Sequence, residues 1–155
     1  MNHVNSVDVL NRLVVLHYRS LARYLGFASP TWRRGDERAR EVLRQVAEDH
    51  QQTVDRLGEL ILELDGTVQS GGFPLSFASY HDLSFEFLCG KLLEHQRQII
   101  GTIESCIPQL ASTPLAQALA QESLGGAKAH LELLQEISGV SAPEAVGSGM
   151  TGKQA

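Results

Sequence analysis

The chain has 155 residues, 43% of them hydrophobic and 20% charged, with a formal net charge of −5. That is the size and apolar content of one ordinary domain with a real core. The acidic balance, with both signs interleaved, excludes the clustered Lys and Arg surface that a nucleic-acid partner needs.

The one basic spot, Arg33-Arg34 beside Trp32, adjoins a turn and is balanced by Asp36 and Glu37, so it reads as a solvated loop. No run approaches the roughly 18 consecutive apolar residues of a membrane span. The N-terminus lacks a basic n-region followed by a long apolar h-region, and the expected location is cytoplasmic.

Helical periodicity runs through nearly the whole chain, without sustained strand-like alternation. Helix one is expected from about Ser6 to Gly26, before Pro30 and Gly35 break the chain. Helix two begins near Asp36, which reads as its N-cap, and stops at Gly66. Helix three begins near Asp82 and ends before Pro108. Cys89 and Cys106 both fall on it, roughly 25 Å apart at 1.5 Å per residue, too far for a disulfide within that helix. Both read as packing residues. Helix four has Thr113 as cap, Pro114 at its first position and Gly139 at its end. Residues 1–140 are expected to form the domain. The segment 141–155, rich in Gly, Ser and Ala, is expected to be disordered.

Short connections make helices one and two, and helices three and four, antiparallel hairpins. The segment from Gly66 to His81 is too long for a simple up-down turn, and about 16 extended residues span more than ~40 Å. It predicts a lengthwise crossover between the hairpins.

On a helical wheel, helix one has the apolar stripe Leu10, Leu13, Val14, Leu21 and Tyr24, with His17 at its centre. Helix two has Leu43, Val46, Ala47, Val54, Leu57, Ile61 and Leu64, with His50 at the centre. Helix four has Leu119, Ser123, Ala127, Leu134 and Ile137 around His130. Helix three places Gln96 near the centre of its stripe and His95 on the margin, while Glu94 points to solvent. Within each hairpin the paired positions differ in depth by roughly 5–7 Å, much of which a histidine side chain can cover. The hairpins also repeat each other, with Ala47-Glu48-Asp49-His50 matched by Ala127-Lys128-Ala129-His130.

This plan resembles the ferritin-like superfamily, which includes bacterioferritins and rubrerythrins. That family carries a Glu on helices one and three and Glu-x-x-His on helices two and four. Residues 6–138 can be laid on it, His50 and His130 match the motif histidines, and VAEDHQQTVDRLGELILELDG reads like the family's second helix. The resemblance implies an all-α four-helix bundle, two antiparallel hairpins joined by a long crossover, and a homodimer. The chain departs from the family at the carboxylates. Ala47 and Ala127 replace both motif glutamates, His17 stands at the helix-one position, and Gln96 or His95 at the helix-three position. Ferroxidase chemistry is therefore not implied, and a di-iron oxidoreductase or iron-handling protein is the competing expectation.

Three readings of the histidines stay open. Neutral imidazoles and a glutamine can close a polar network in the core. Alternatively His17, His50, His95 and His130, with Gln96, are candidate ligands of a single Zn, Fe, Cu or Ni ion, since nitrogen donors suit one such ion better than an oxygen-bridged pair. Tyr24 and Ser123 are the nearest candidates for outer-shell acceptors. A third reading is a flat cofactor in the space left by Ser123, Gly125, Gly126 and Ala127, although small residues more often let helices approach closely. Nucleophilic catalysis finds no support at Ser20, Ser84 or Ser123, and His3 and His81 read as tail and loop residues. Val15, Leu16 and Phe87 form a second apolar strip that suits a twofold dimer.

Overall fold

The computed structural model describes residues 2–28, 30, 32–80 and 83–139. Among them are five α-helices and no strand, so the chain is all-α as expected. They are α1 (Asn2–Tyr18), α2 (Leu21–Ala28), α3 (Glu37–Glu63), α4 (Phe85–Cys106) and α5 (Pro114–Ile137). Short 3-10 segments occur at Leu75–Tyr80 and Ile107–Leu110. None of these helices is long and apolar enough to cross a membrane. The expectations for His81, Asp82 and the segment 141–155 fall outside the described residues.

Helix one is two helices. The sequence reads as continuous because apolar spacing carries across residues 19–20, but Ser20 is a buried helix breaker. Its Oγ accepts from the Arg23 N–H at 3.2 Å, which starts α2 as a cap does. The Tyr18 carbonyl released by the break accepts from the Arg23 guanidinium at 2.5 Å.

Other helix ends also differ from the simplest reading. Asp36 precedes α3, but its carboxylate accepts from the Arg33 N–H at 2.8 Å and closes the preceding turn, making no side-chain cap bond to the helix. Ser84 caps α4 by accepting from the Phe87 N–H at 3.2 Å. Thr113 precedes α5 without capping it, because its hydroxyl is paired with Ser6 at 2.5 Å. At the end of α3 the left-handed residue is Asp65 (φ 64°), not Gly66. The Gly66 N–H returns to the Ile61 carbonyl at 2.9 Å and the Asp65 N–H to Leu62 at 3.0 Å, a Schellman closure. Gly66 is needed for closeness instead: a Cβ there would lie 2.7 Å from the Val7 side chain.

Cross-contacts set the helix directions. Asn11–Thr67, His17–His50 and Arg23–Gln51 run α1 and α2 against α3. Asp49–His130 and Arg56–Glu122 run α3 against α5. Gln96–Ala127 and Ile107–Gln117 run α4 against α5. The connection after α3 leaves the end where Gly66 meets Val7, held by Asn11 bonds to the Thr67 carbonyl and the Gln69 N–H. It arrives at the other end, where Phe85 stacks on Trp32. On the way, Phe73 packs on Tyr18 and Tyr24, and Phe77 on Tyr24 and His95, so the segment lies across α1, α2 and α4.

The core is two apolar clusters. One contains Leu10, Leu13, Val14, Leu57, Ile61 and Ile103; the other contains Leu21, Leu25, Leu43, Val46, Leu88 and Leu134. Between them along the sequence stand His17, His50, Gln96 and His130, all buried. Glu94 is exposed, Cys106 is buried and Cys89 half-buried, in keeping with their reading from sequence. Of the proposed outer strip, Leu16 packs on the core while Phe87 is exposed.

Candidate functional site

The polar layer takes one residue from each of α1, α3, α4 and α5. Each sits about one helical turn from apolar residues on either side, as in Val14-His17-Leu21 and Val46-His50-Val54, so folding the apolar stripes inward carries the polar residue with them. His17 is 3% exposed, His50 1%, Gln96 2% and His130 7%.

His17 Nδ1 and His50 Nδ1 are 2.8 Å apart, with ring centroids at 5.0 Å. Two ring nitrogens at that separation need one hydrogen between them. One neutral ring therefore carries Nδ1–H and leaves its Nε2 with a lone pair, while the other carries Nε2–H. Both Nε2 atoms are buried without a partner. The His130 ring lies 5.5 Å from that of His50. Its Nε2 meets the Asp49 carboxylate at 2.8 Å, which fixes Nε2–H and leaves Nδ1 with the lone pair in the neutral form. That Nδ1 is buried and unpartnered.

Burial holds His17 down to about 4, with the His130 charge acting in the same direction. His50 lies well below its ordinary range because of burial first, then the charges of His17, His130, His95 and Arg23. Both rings are neutral at pH 7, which is the form that donates lone pairs.

Gln96 donates from Nε2 to the Ala127 carbonyl at 2.8 Å. His95 stands apart from the other three, edge-on to Phe77, with burial lowering its pKa and its Nε2 unpartnered. Ser123 spends its hydroxyl on the Ala120 carbonyl at 2.9 Å, and Tyr24 belongs to the aromatic cluster with Phe73 and Phe77. The Ser123 hydroxyl is thus turned to its own helix and not to the layer. An outer-shell carboxylate is supplied by Asp49, which stands at none of the positions where the family places its carboxylates. Asp49 neighbours His50 on α3 and lies toward α5, and its side chain is 37% exposed. The available signal was its position one residue before His50, on the margin of the stripe.

A cleft of about 340 Å³ opens on the layer between α3 and α5, lined by His17, His50, His130, Asp49, Arg56 and Glu122 among others. Gly125 and Gly126 border open space, since a Cβ at either meets nothing within 4 Å. The expectation that these glycines let helices approach closely is therefore not met. Arg56 and Glu122 form a bidentate ion pair from α3 to α5, with the second bond at 3.1 Å. Among the described residues, no group of three or more His, Cys, Asp or Glu side chains is gathered, as it stands, closely enough to hold a metal ion.

Comparison with known proteins finds no match to this chain among family models, curated proteins or solved structures.

Proposed function

We propose that the chain is a ferritin-like four-helix bundle protein whose His17, His50 and His130 bind one divalent transition-metal ion, and that it is not a di-iron oxidoreductase. The helix directions, the lengthwise connection and a polar layer drawn from four helices support the bundle reading. The observation that carries the metal reading is the set of buried ring nitrogens without partners around one cleft. A buried nitrogen left unpaired costs about 1–3 kcal/mol, so three in one place call for an explanation. Asp49 behind His130 is the carboxylate–histidine arrangement that orients a ligating imidazole.

The residues do not fit two iron ions. Among the described residues Asp49 is the one carboxylate bonded to the layer, while Ala47, Ala127 and Gln96 occupy positions where the family places carboxylates. The chemistry of three imidazole donors suits one ion such as Zn, Cu, Ni or ferrous Fe better than a pair. His17, His50 and His130 would hold such an ion through ring nitrogens, once the rings turned about their Cβ–Cγ bonds to gather around it. It supplies a cross-link between α1, α3 and α5 together with Lewis acidity at the cleft. Cytoplasmic location and a homodimer through the face that carries Phe87 belong to the same proposal.

A second reading, a closed polar layer without an ion in a non-catalytic scaffold, has its own support. It rests on the 2.8 Å His17–His50 bond and the satisfied Gln96. Metal analysis of protein purified without chelator or affinity tag separates the two. About one equivalent of a transition metal, or a thermal shift on adding Zn, is expected. Less than roughly a tenth of an equivalent with no shift leaves only the polar layer. Oxygen-dependent iron oxidation would overturn the exclusion of di-iron chemistry.

A further inference from the structure

The histidine layer has few ways in. The two most closely packed helix interfaces, α1 with α3 and α4 with α5, close two sides. On a third side the connection lays Phe73 and Phe77 across α1, α2 and α4. The fourth side, between α3 and α5, holds the 340 Å³ cleft. A second hollow of about 280 Å³ continues along the same seam, lined by Leu60, Leu119, Glu59 and Glu63. Arg56 and Glu122 line both hollows. Their ion pair thus bridges a trough that leads to His17, His50 and His130.

We infer that this seam is the entry path of the cation, with Glu122 as the carboxylate that receives it and Arg56 as the residue that masks Glu122 until it arrives. The inference rests on the metal reading above. Glu122 is a negative oxygen donor at the mouth of a site whose inner donors are imidazole nitrogens. A divalent cation is drawn first to such a carboxylate and then to the imidazoles, which the softer transition metals prefer. The pair is solvent-exposed, with side chains 51% and 62% accessible, so it opens at little cost. Its opening also widens the mouth, because both side chains cross the seam. Glu122 is an entry group rather than a resident ligand, since the structure joins it to Arg56 and not to any layer residue.

Stopped-flow uptake of Zn(II) from a chromophoric chelator tests this on the full chain, alongside equilibrium competition for affinity. Glu122→Gln should slow uptake about tenfold, and Arg56→Gln should speed it, with affinity changed by less than about threefold in both. Glu104→Gln, the same charge change on α4, should leave the rate unaltered. Uptake by the wild-type protein that neither seam variant alters would overturn the entry path while leaving the metal reading intact. So would a Glu122→Gln loss confined to affinity, which would make Glu122 a resident ligand. A wild-type protein that binds no Zn overturns both inferences.

Discussion

Two seams of this molecule face the same polar layer and are treated in opposite ways. The seam along α1, α2 and α4 is roofed by the connection through residues 64–80, whose Phe77 is buried against Tyr24 and His95. The seam between α3 and α5 is bridged on its outer side by polar side chains, Asp49 to His130 and Arg56 to Glu122, and keeps an open cleft. Aromatic area removes water and stabilises, whereas exposed ion pairs hold position without contributing much. Stability is therefore expected on the roofed side and exchange with solvent on the open side.

The largest effect should come from breaking the roof. Phe77→Ala removes a buried ring and should cost about 3 kcal/mol of stability, read as a lower urea midpoint. A loss below about 1 kcal/mol would show that the connection is not part of the core.

The pH dependence of the metal-free protein should be nearly as large. His17 titrates at about 4 in the folded chain and near 6.5 when unfolded, so between those values only the unfolded chain takes the proton. Stability from this group is complete above pH 6.5 and falls until about pH 4, a loss of about 3 kcal/mol. His50 and His95 are also depressed and act in the same direction. Urea unfolding at pH 7 and pH 4.5 should show a shallower loss in a His17→Asn variant. Equal losses in both proteins would contradict the burial of an uncharged His17.

Smaller effects belong to the open seam. Asp49→Asn should weaken Zn binding by about 10–100-fold in a competition assay, as loss of an outer carboxylate does, with little change in the metal-free unfolding midpoint. Unchanged affinity would mean Asp49 orients nothing. Smallest of all, Arg56→Gln should leave thermal unfolding unmoved, because exposed pairs add little. A clear drop in midpoint would make that pair a structural clamp and bring the two seams closer in kind.

The apolar stripes made the helices legible, and His17, His50, Gln96 and His130 at their centres made the polar layer legible, because 3.6-residue periodicity is local and survives without tertiary information. Ser20 was harder to read: a single hydroxyl interrupted a stripe whose spacing ran on unbroken. Thr113 read as a cap, yet a partner 107 residues away, Ser6, claimed its hydroxyl. Asp49 and the Arg56–Glu122 pair sit on helix margins, where a wheel assigns side chains to solvent.

The sequence by itself determined an all-α chain, the approximate extent of the later helices, and the burial of His17, His50, Gln96 and His130. These follow from the side-chain pattern along one helix and from the free energy of removing apolar surface from water. The tertiary structure alone decided which nitrogen faces which, that Asp49 orients His130, and that one seam is roofed while the other stays open. Those depend on how each helix is rotated and shifted along its neighbours, and packing between elements sets both.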